Sequence, residues 1–336
     1  MEKTKVILDV DTGSDDAIAI MMAVLHPDLE VLGITTVNGN QPVPNTTENT
    51  LRVVDLLGVG DKVPVYRGCE EPMVAELIPE RHAESRQAPT KKIVEGELIT
   101  YHREYLDVIP PSVTKEQEKS AVMYLVDTLM NSDGDITLIP VGPLTNIAVA
   151  MRAEPRIKEK IKKIVIMGGG HNKSNRTSSA EFNIWKDPEA AQIVLTSGCD
   201  ILMVPLDATH EGDVTAEESQ EIREFGSPVA RAVADLLDQR IKAYDMFQPQ
   251  KIAGSTPPHD ALAVAAVIDP DVLQDVQWRR VDVDFSGGIC DGRTMVDCRV
   301  YPDNPPNIHF AFGCDRERFV KLLKETIKLA GNSCTK

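Results

Sequence analysis

Strand-length apolar runs alternate with helical patterns over the first two-thirds of the chain. Strands are predicted over residues 6–10, 31–37, 136–141, 163–167 and 201–206, and helices over 15–25, 47–57, 121–130 and 188–196 among others. Such alternation is typical of a parallel sheet that helices cover on both faces. We therefore predict a Rossmann-like α/β fold with a mostly parallel sheet, in which ligands bind beyond the carboxyl ends of the strands.

Two segments interrupt this alternation. Residues 75–119 are rich in charge and proline, which is typical of a lid or an insertion. Near the end of the chain, apolar runs over 281–285, 294–300 and 308–312 predict an antiparallel meander, followed by a helix over 315–329. Because the sequence contains no repeat, low-complexity tract or linker, we predict a single domain over residues 1–336.

Composition and charge narrow the class of ligand. Of the 336 residues, 42% are hydrophobic and 26% charged, and the formal net charge is −16. An acidic surface repels phosphate backbones and anionic membranes, so the expected partner is a small neutral or cationic molecule, not nucleic acid or a membrane. The chain starts without an apolar leader and contains no long apolar run, so we expect a cytoplasmic protein. The six cysteines are scattered without a C-x-x-C pair, which favours reduced thiols over a zinc site.

The most unusual stretch is DVDTGSDD at residues 9–16, where four aspartates follow an apolar strand. Because side chains alternate along a strand, Asp9 and Asp11 point to the same side. Asp15 and Asp16 suit the first turn of a helix, since acidic groups there favour the helix dipole. Asp11 has no such explanation. Crowded carboxylates raise one another's pKa unless a cation compensates them, so a Ca²⁺ or Mg²⁺ site and a solvated turn are the two interpretations of this stretch.

Three familiar motifs are absent from this turn. An EF-hand counted from Asp9 needs glycine and glutamate at positions that Ser14 and Ile20 occupy. The dinucleotide fingerprint G-x-G-x-x-G is missing, and acidic residues at this place would repel a pyrophosphate. Gly13 stands where the aspartyl-phosphatase pattern D-x-D-x-T requires threonine. A site that handles phosphate is therefore disfavoured.

The motifs taken together resemble the nucleoside hydrolase family. The matching stretches are DVDTGSDDAIAI (9–20), ITTVNGN (34–40), VGPLTNIA (141–148), VIMGGG (165–170), AEFNIWKDPEAA (180–191), LDATH (206–210) and HDALAVAAVIDP (259–270). They occur in the family's order, at similar spacing and over most of the chain. The resemblance implies hydrolysis of the N-glycosidic bond of ribonucleosides to free base and ribose, in purine and pyrimidine salvage, by a homodimer or homotetramer.

The resemblance also implies a tightly bound Ca²⁺. Its ligands would be Asp11, Asp16, Asp260 and the backbone carbonyl of Val141, a position that needs no polar side chain. Asp11 would in addition be the general base that takes a proton from the metal-bound water. The chemistry agrees, because a cation lowers the pKa of water and an adjacent carboxylate can complete the deprotonation.

The sugar-binding residues of the family are all present in this chain. By position they are Asp15, Asn40, Asn175, Glu181 and Asn183. Taken alone, Asn40 is a common turn former and Glu181 an ordinary surface residue. Their register with the metal ligands favours recognition of the vicinal ribose hydroxyls, and carboxylates near the sugar suit an oxocarbenium-like transition state.

The base pocket is defined less sharply. His259 is the family's candidate proton donor to the leaving base, although it also fits a helix start without chemistry. His82 resembles a second family histidine in a loop that usually reads H-G-E-S-G, whereas this chain has HAESR, which stiffens the loop. Phe182 and Met167 match apolar positions near the sugar, and Tyr244 lies in the region that contacts the base. The sequence alone leaves open a non-catalytic nucleoside-binding homologue and a hydrolase of a modified nucleoside.

Overall fold

The computed structural model describes residues 3–78, 80–81 and 91–331. The strands are β1 (Thr4–Val10), β2 (Leu29–Thr36), β3 (Val65–Arg67), β4 (Lys91–Val94), β5 (Glu97–Thr100), β6 (Ile136–Pro140), β7 (Ile161–Met167), β8 (Ile201–Val204), β9 (Val214–Thr215), β10 (Ser255–Thr256), β11 (Leu273–Val283), β12 (Thr294–Asp297) and β13 (Ile308–Cys314). The helices are α1 (Ser14–Leu25), α2 (Val43–Leu56), α3 (Ala121–Met130), α4 (Thr145–Ala153), α5 (Phe182–Lys186), α6 (Pro188–Leu195), α7 (Leu206–Thr209), α8 (Ala216–Arg223), α9 (Pro228–Phe247), α10 (His259–Ile268) and α11 (Arg316–Lys328).

A nine-stranded sheet organises the molecule, in the order β12-β11-β13-β8-β7-β6-β1-β2-β3. The strands from β13 to β3 are parallel to their neighbours, while β11 pairs antiparallel with both β12 and β13. This arrangement confirms the predicted α/β fold with a C-terminal antiparallel set of strands. It also brings the carboxyl ends of β1, β2, β6, β7 and β8 to one edge of the sheet.

Two apolar cores cover the two faces of the sheet, and the alternation along β1 shows why. Val6, Leu8 and Val10 pack into one core with α1, α2, α9, α10 and α11. Ile7 points to the other face and packs with α3, α4 and α6. A strand that is buried on both faces is expected to contain a continuous apolar run, as residues 6–8 of β1 do. The helices on both sides thereby fix the sheet edge where the aspartates emerge.

Several predicted boundaries were wrong, and the strand expected over 294–300 ends at Asp297. The strand expected over 201–206 ends at Val204, and α7 begins at Leu206, because the chain turns there at Pro205. Helix α2 begins at Val43, since Pro42 starts it earlier than the predicted residue 47. Strand β11 begins at Leu273 and not at 281. Its first half reads LQDVQWRR, whose exposed, largely polar side chains give no apolar signal.

The segment 75–119 contains a hairpin, β4–β5, on the same side of the molecule as the sheet edge. Lys242 of α9 forms an ion pair with Glu97 of β5, with Nζ 2.9 Å from Oε1. The described part of the segment therefore packs against α9, while an insertion or a lid stays a prediction for it. No helix within the described ranges has the length and apolar character needed to cross a bilayer.

Candidate active site

A cavity of about 770 Å³ opens at the carboxyl edge of the sheet. Its lining includes these residues that the sequence predicted: Asp11, Asp15, Asn40, Val141, Met167, Asn175, Glu181, Phe182, Asn183, Tyr244, His259 and Asp260. Asp16 lies fully buried behind Asp11 and Asp15. His82 and the rest of the HAESR loop lie outside the described residues. The fold thus gathers into one cavity side chains that lie more than 200 residues apart in the sequence.

Asp16 organises the carboxylate turn. Its Oδ2 accepts a hydrogen bond from the backbone N–H of Gly13 (2.8 Å), and its Oδ1 accepts one from that of Asp11 (3.1 Å). This is the acidic half of a capping box at the start of α1, so the local sequence stabilises the helix end while it gathers the carboxylates. Since a carboxylate oxygen has more than one lone pair, both oxygens can still bind a cation.

Asp11 is held in place by the loop after β2. Its Oδ2 accepts a hydrogen bond of 2.7 Å from the backbone N–H of Asn40. Two glycines make room for it: a Cβ added at Gly39 would lie 2.0 Å from Oδ2, and one added at Gly142 would lie 2.8 Å from Oδ1. The close approach of these two loops therefore fixes the direction of the Asp11 carboxylate.

The carboxylates of Asp15, Asp16 and Asp260 each place an oxygen within 4.8 Å of the others. Burial and the neighbouring negative charges raise the pKa of Asp11 and Asp260 well above the usual range, and that of Asp16 to about 6. Such a cluster is costly unless a cation compensates it. The geometric group contains Asp15, which the sequence assigned to the sugar, and leaves out Asp11.

Arg240 explains why Asp15 differs from the other carboxylates. Its Nη1 lies 2.9 Å from Oδ1 of Asp15, and its side chain is only 1% exposed. Nη1 also donates to the hydroxyl of Ser14, and Nη2 to the carbonyl of Pro257. Because the guanidinium already compensates Asp15, this carboxylate is less suited than Asp11 to the cation. The sequence analysis missed Arg240.

The carbonyl of Val141 and three polar residues form the opposite wall. Asn183 donates from Nδ2 to the Val141 oxygen at 2.7 Å, which leaves that oxygen a second lone pair. Glu181 is buried and accepts hydrogen bonds from the backbone N–H groups of Gly169 and Asn183, both at 2.9 Å. Glu181 is therefore no surface residue. Asn175 accepts from the backbone N–H of Phe182 and lines the same wall.

His259 begins α10, and both of its ring nitrogens have partners. Nε2 lies 2.6 Å from the hydroxyl of Tyr244, and Nδ1 lies 2.7 Å from that of Thr209. Burial, together with the positive charges of His210, Arg240 and His102, holds the pKa of His259 well below its usual range. Burial raises the pKa of Tyr244, so the phenol keeps its proton. Tyr244, which sequence spacing could not assign, thus contacts the candidate acid directly.

Two further residues of the cavity wall, Tyr101 and His102, were also missed by the sequence analysis. They follow β5, and Ser14 fastens them to the carboxylate turn: its hydroxyl donates to the Tyr101 carbonyl, and its backbone N–H to Nδ1 of His102. The ring of Tyr101 packs edge-on against that of Tyr244, with centroids 5.0 Å apart. Burial and the charge of Arg240 oppose the attraction of Asp15 and lower the pKa of His102 to about 4.

The arrangement combines three chemical capabilities. Carboxylates and a backbone carbonyl provide the hard oxygen ligands that Ca²⁺ and Mg²⁺ prefer. Asn175, Glu181 and Asn183 offer hydrogen-bonding groups for a polyhydroxylated ligand. Aromatic and imidazole side chains line the remaining wall and suit a flat ring.

Comparisons with known proteins agree over nearly the whole chain. The sequence profile of the family "Inosine-uridine preferring nucleoside hydrolase" matches residues 6–321. The pyrimidine-specific ribonucleoside hydrolase RihB of Escherichia coli strain SE11 is 41% identical over 330 residues, which cover 98% of each chain. A solved purine-preferring ribonucleoside hydrolase from Gardnerella vaginalis has a TM-score of 0.83 at 33% identity, covering 98% of this chain and 99% of its own. A solved plant nucleoside hydrolase has a TM-score of 0.82 at 28% identity, covering 97% and 99%.

Proposed function

Because the chain belongs to the inosine-uridine preferring nucleoside hydrolase family and is thus an enzyme that acts on N-glycosyl compounds, we propose that it hydrolyses ribonucleosides to base and ribose with the help of Ca²⁺. The observation that carries the proposal is the buried cluster of Asp11, Asp16 and Asp260, which borders the same cavity as the polar wall around Glu181 and Asn183.

The donor set of the cluster fits a hard divalent cation. We assign Asp11, Asp16, Asp260 and the carbonyl of Val141 as its ligands, because these residues are buried. Among the described side chains, the one cation that compensates the cluster is Arg240, and it pairs with Asp15. Several oxygen ligands in a flexible arrangement suit Ca²⁺. When bound, the cation supplies Lewis-acid activation of a water molecule and of the sugar hydroxyls.

Asp11 acts as the general base. Asn40 donates to Oδ2 and the two neighbouring glycines confine the carboxylate, while Oδ1 accepts no hydrogen bond from a described residue and can take a proton from the attacking water. The water then adds to the anomeric carbon of the ribose as the bond to the base breaks. Positive charge develops on the ribosyl ring at this stage, and the carboxylates of Asp15 and Glu181 stabilise it.

Departure of the base involves His259 through Tyr244. If Thr209 donates to Nδ1, the imidazole proton lies on Nε2 and is donated to the Tyr244 oxygen. The phenol proton is then free to reach a nitrogen or oxygen of the base. In this arrangement Tyr244 contacts the leaving group. His259 is a positioning residue, whose hydrogen bond stabilises the negative charge on the Tyr244 oxygen when the phenol gives up its proton.

The sugar is recognised by Asp15, Asn40, Asn175, Glu181 and Asn183. Asp15 pairs with Arg240, and its carboxylate oxygens are hydrogen-bond acceptors. We expect Asp15 to accept a hydrogen bond from a ribose hydroxyl, and we expect this hydrogen bond to be absent or weaker with 2′-deoxyribose. Phe182 and Met167 form the apolar floor beside the sugar, and Tyr244 belongs to the base side of the cavity. His82 stays a prediction for the base side.

The similar proteins include a pyrimidine-specific and a purine-preferring ribonucleoside hydrolase. Our proposal therefore extends to ribonucleosides of either class, with a modified nucleoside as the alternative substrate. The homologues are hydrolases, so the alternative of a non-catalytic binder loses its support. A role in salvage, a cytoplasmic location and a homodimer or homotetramer stay predictions.

The experiment that tests the proposal is a panel of inosine, adenosine, guanosine, uridine and cytidine, with released ribose measured for the wild type and for Asp11→Asn. We expect ribose from at least one nucleoside and a loss of roughly a hundredfold or more in kcat for Asp11→Asn, which keeps the shape but removes the base. Absence of ribose from every nucleoside, in folded protein loaded with Ca²⁺, would contradict the proposal and direct the search to modified nucleosides.

A further inference from the structure

The hairpin β4–β5 delivers an imidazole to the cavity from a part of the chain far from the other site residues. His102 lies two residues after the end of β5 and lines the cavity beside Tyr101. Its side chain retains 20% exposure, although the groups around it are buried. His102 also lines a second, smaller cavity beside Pro42 and Glu104, and the exposed part of its ring is within reach of a ligand.

The hydrogen bond from Ser14 determines which nitrogen of the imidazole carries the proton. The backbone N–H of Ser14 lies 3.4 Å from Nδ1 of His102 and donates to it. A nitrogen that accepts a hydrogen bond carries no proton, so the proton of the neutral ring lies on Nε2. No residue that the structure describes forms a hydrogen bond with this Nε2. His102 therefore offers the cavity an oriented and unused N–H donor.

The rings next to His102 relate its donor to the base. Its ring lies beside Asp15, with Nδ1 3.8 Å from Oδ1, at the sugar end of the cavity. The adjacent ring of Tyr101 contacts both Tyr244 (5.0 Å) and Phe247 (5.7 Å) between centroids. A flat ring attached to a sugar at Asp15 would lie along this aromatic wall, with its edge towards His102.

We propose that His102 is a base-binding residue, which donates a hydrogen bond from Nε2 to a ring nitrogen or carbonyl oxygen of the nucleobase. The inference rests on the proposed function and adds a specificity-determining contact to it. Nucleobases gain negative charge as the glycosidic bond breaks, so the donor stabilises the departing base more than the bound substrate. The stretch after β5 thus supplies a donor that is independent of His259 and Tyr244.

The test compares His102→Phe, which keeps a ring but removes the donor, with His102→Gln, which keeps an N–H donor. Values of kcat/KM are measured for uridine, inosine and p-nitrophenyl riboside, whose leaving group has no ring nitrogen or ring carbonyl. We expect His102→Phe to lose about 10- to 100-fold on the nucleosides and under about threefold on p-nitrophenyl riboside, as the loss of one hydrogen bond to a charged group predicts. His102→Gln is expected to recover most of the loss.

Equal losses on all three substrates would show that His102 only supports the structure, and unchanged kinetics would show that it does not contact the base. Either result overturns the inference. A second readout does not require turnover: uridine affinity is measured by calorimetry in Asp11→Asn and in Asp11→Asn combined with His102→Phe. A weaker affinity in the double variant supports the contact, and equal affinities contradict it. Ribose release by the wild type tests the proposed function separately.

Discussion

The hydroxyl of Tyr244 lies 2.6 Å from Nε2 of His259, while Thr209 occupies the opposite nitrogen of the same ring. A histidine with both nitrogens occupied has no free N–H with which to reach a substrate. The imidazole is also buried and held neutral at neutral pH. Under the proposed mechanism, a proton from this part of the cavity reaches the base through the phenol of Tyr244.

Replacing Tyr244 with Phe removes the hydroxyl and keeps the ring that packs on Tyr101. We expect kcat on inosine or uridine to fall about 10²- to 10³-fold, as for loss of a general acid, and kcat on p-nitrophenyl riboside to change little. If the two residues act in series, Tyr244→Phe combined with His259→Ala should be hardly worse than either variant alone. If the kcat losses of the two single variants multiply in the double variant, the two residues do not act in series.

Replacing Arg240 with Met leaves the Asp15 carboxylate buried without its guanidinium. Breaking a buried pair in this way costs about 3–5 kcal/mol, so urea unfolding in the presence of a chelator should show a loss of that order. Arg240→Lys keeps the charge and should lose less. Arg223→Met is the matched control, because its pairs with Asp235 and Asp238 lie at the surface and contribute about 1 kcal/mol or less. Similar losses for Arg240→Met and Arg223→Met would refute this interpretation of Arg240.

Replacing Gly39 with Ala places a methyl group where the Asp11 carboxylate lies, 2.0 Å from Oδ2. The carboxylate must move, and a displacement of about 1 Å in a catalytic group can lower kcat about a hundredfold. Gly288→Ala is the control, because Gly288 is exposed and its nearest neighbour lies 3.6 Å away. Steady-state kinetics on the best nucleoside distinguishes the two, and wild-type kcat in Gly39→Ala would show that Asp11 is not fixed by this loop.

The sequence predicted the parallel sheet and the residues at its carboxyl edge, because these depend on local patterns. Alternation in β1 and the acidic turn after it are both visible in the residues themselves. Asn40, Glu181 and Asn183 could be assigned only through the family resemblance, since each is an ordinary residue in its own stretch.

Arg240, Tyr101 and His102 were missed for a different reason. Tyr101 and His102 reach the cavity only because the hairpin β4–β5 packs on α9 and the residues after it contact Ser14. These are long-range contacts without a local signature in the sequence. Arg240 did leave a signal: helical spacing places it on the buried face of α9 with Leu236 and Tyr244. A charged residue on an apolar helix face indicates a buried partner, which here is Asp15.

Glu181 predicts a pH dependence of stability. Burial raises its pKa from 4.5 to about 7, against the opposing effect of its backbone hydrogen bonds. Between these values the folded state binds the proton more tightly than the unfolded chain, so this contribution to stability is complete below pH 4.5 and is lost as the pH rises through about 7. The free energy of unfolding of the wild type, measured with chelator present, should fall by up to about 1.4 kcal/mol per pH unit more than that of Glu181→Gln. Parallel pH profiles would contradict the raised pKa.

Ribose release from the best nucleoside, before and after metal removal, tests whether the protein is a metal-dependent ribonucleoside hydrolase. The protein is treated with a strong chelator, depletion is verified by elemental analysis, and Ca²⁺ or Mg²⁺ is returned in separate samples. We predict that turnover disappears with the metal and returns with Ca²⁺, while Asp260→Asn needs more Ca²⁺ for half-maximal recovery. Full turnover in verified metal-free protein would contradict the account.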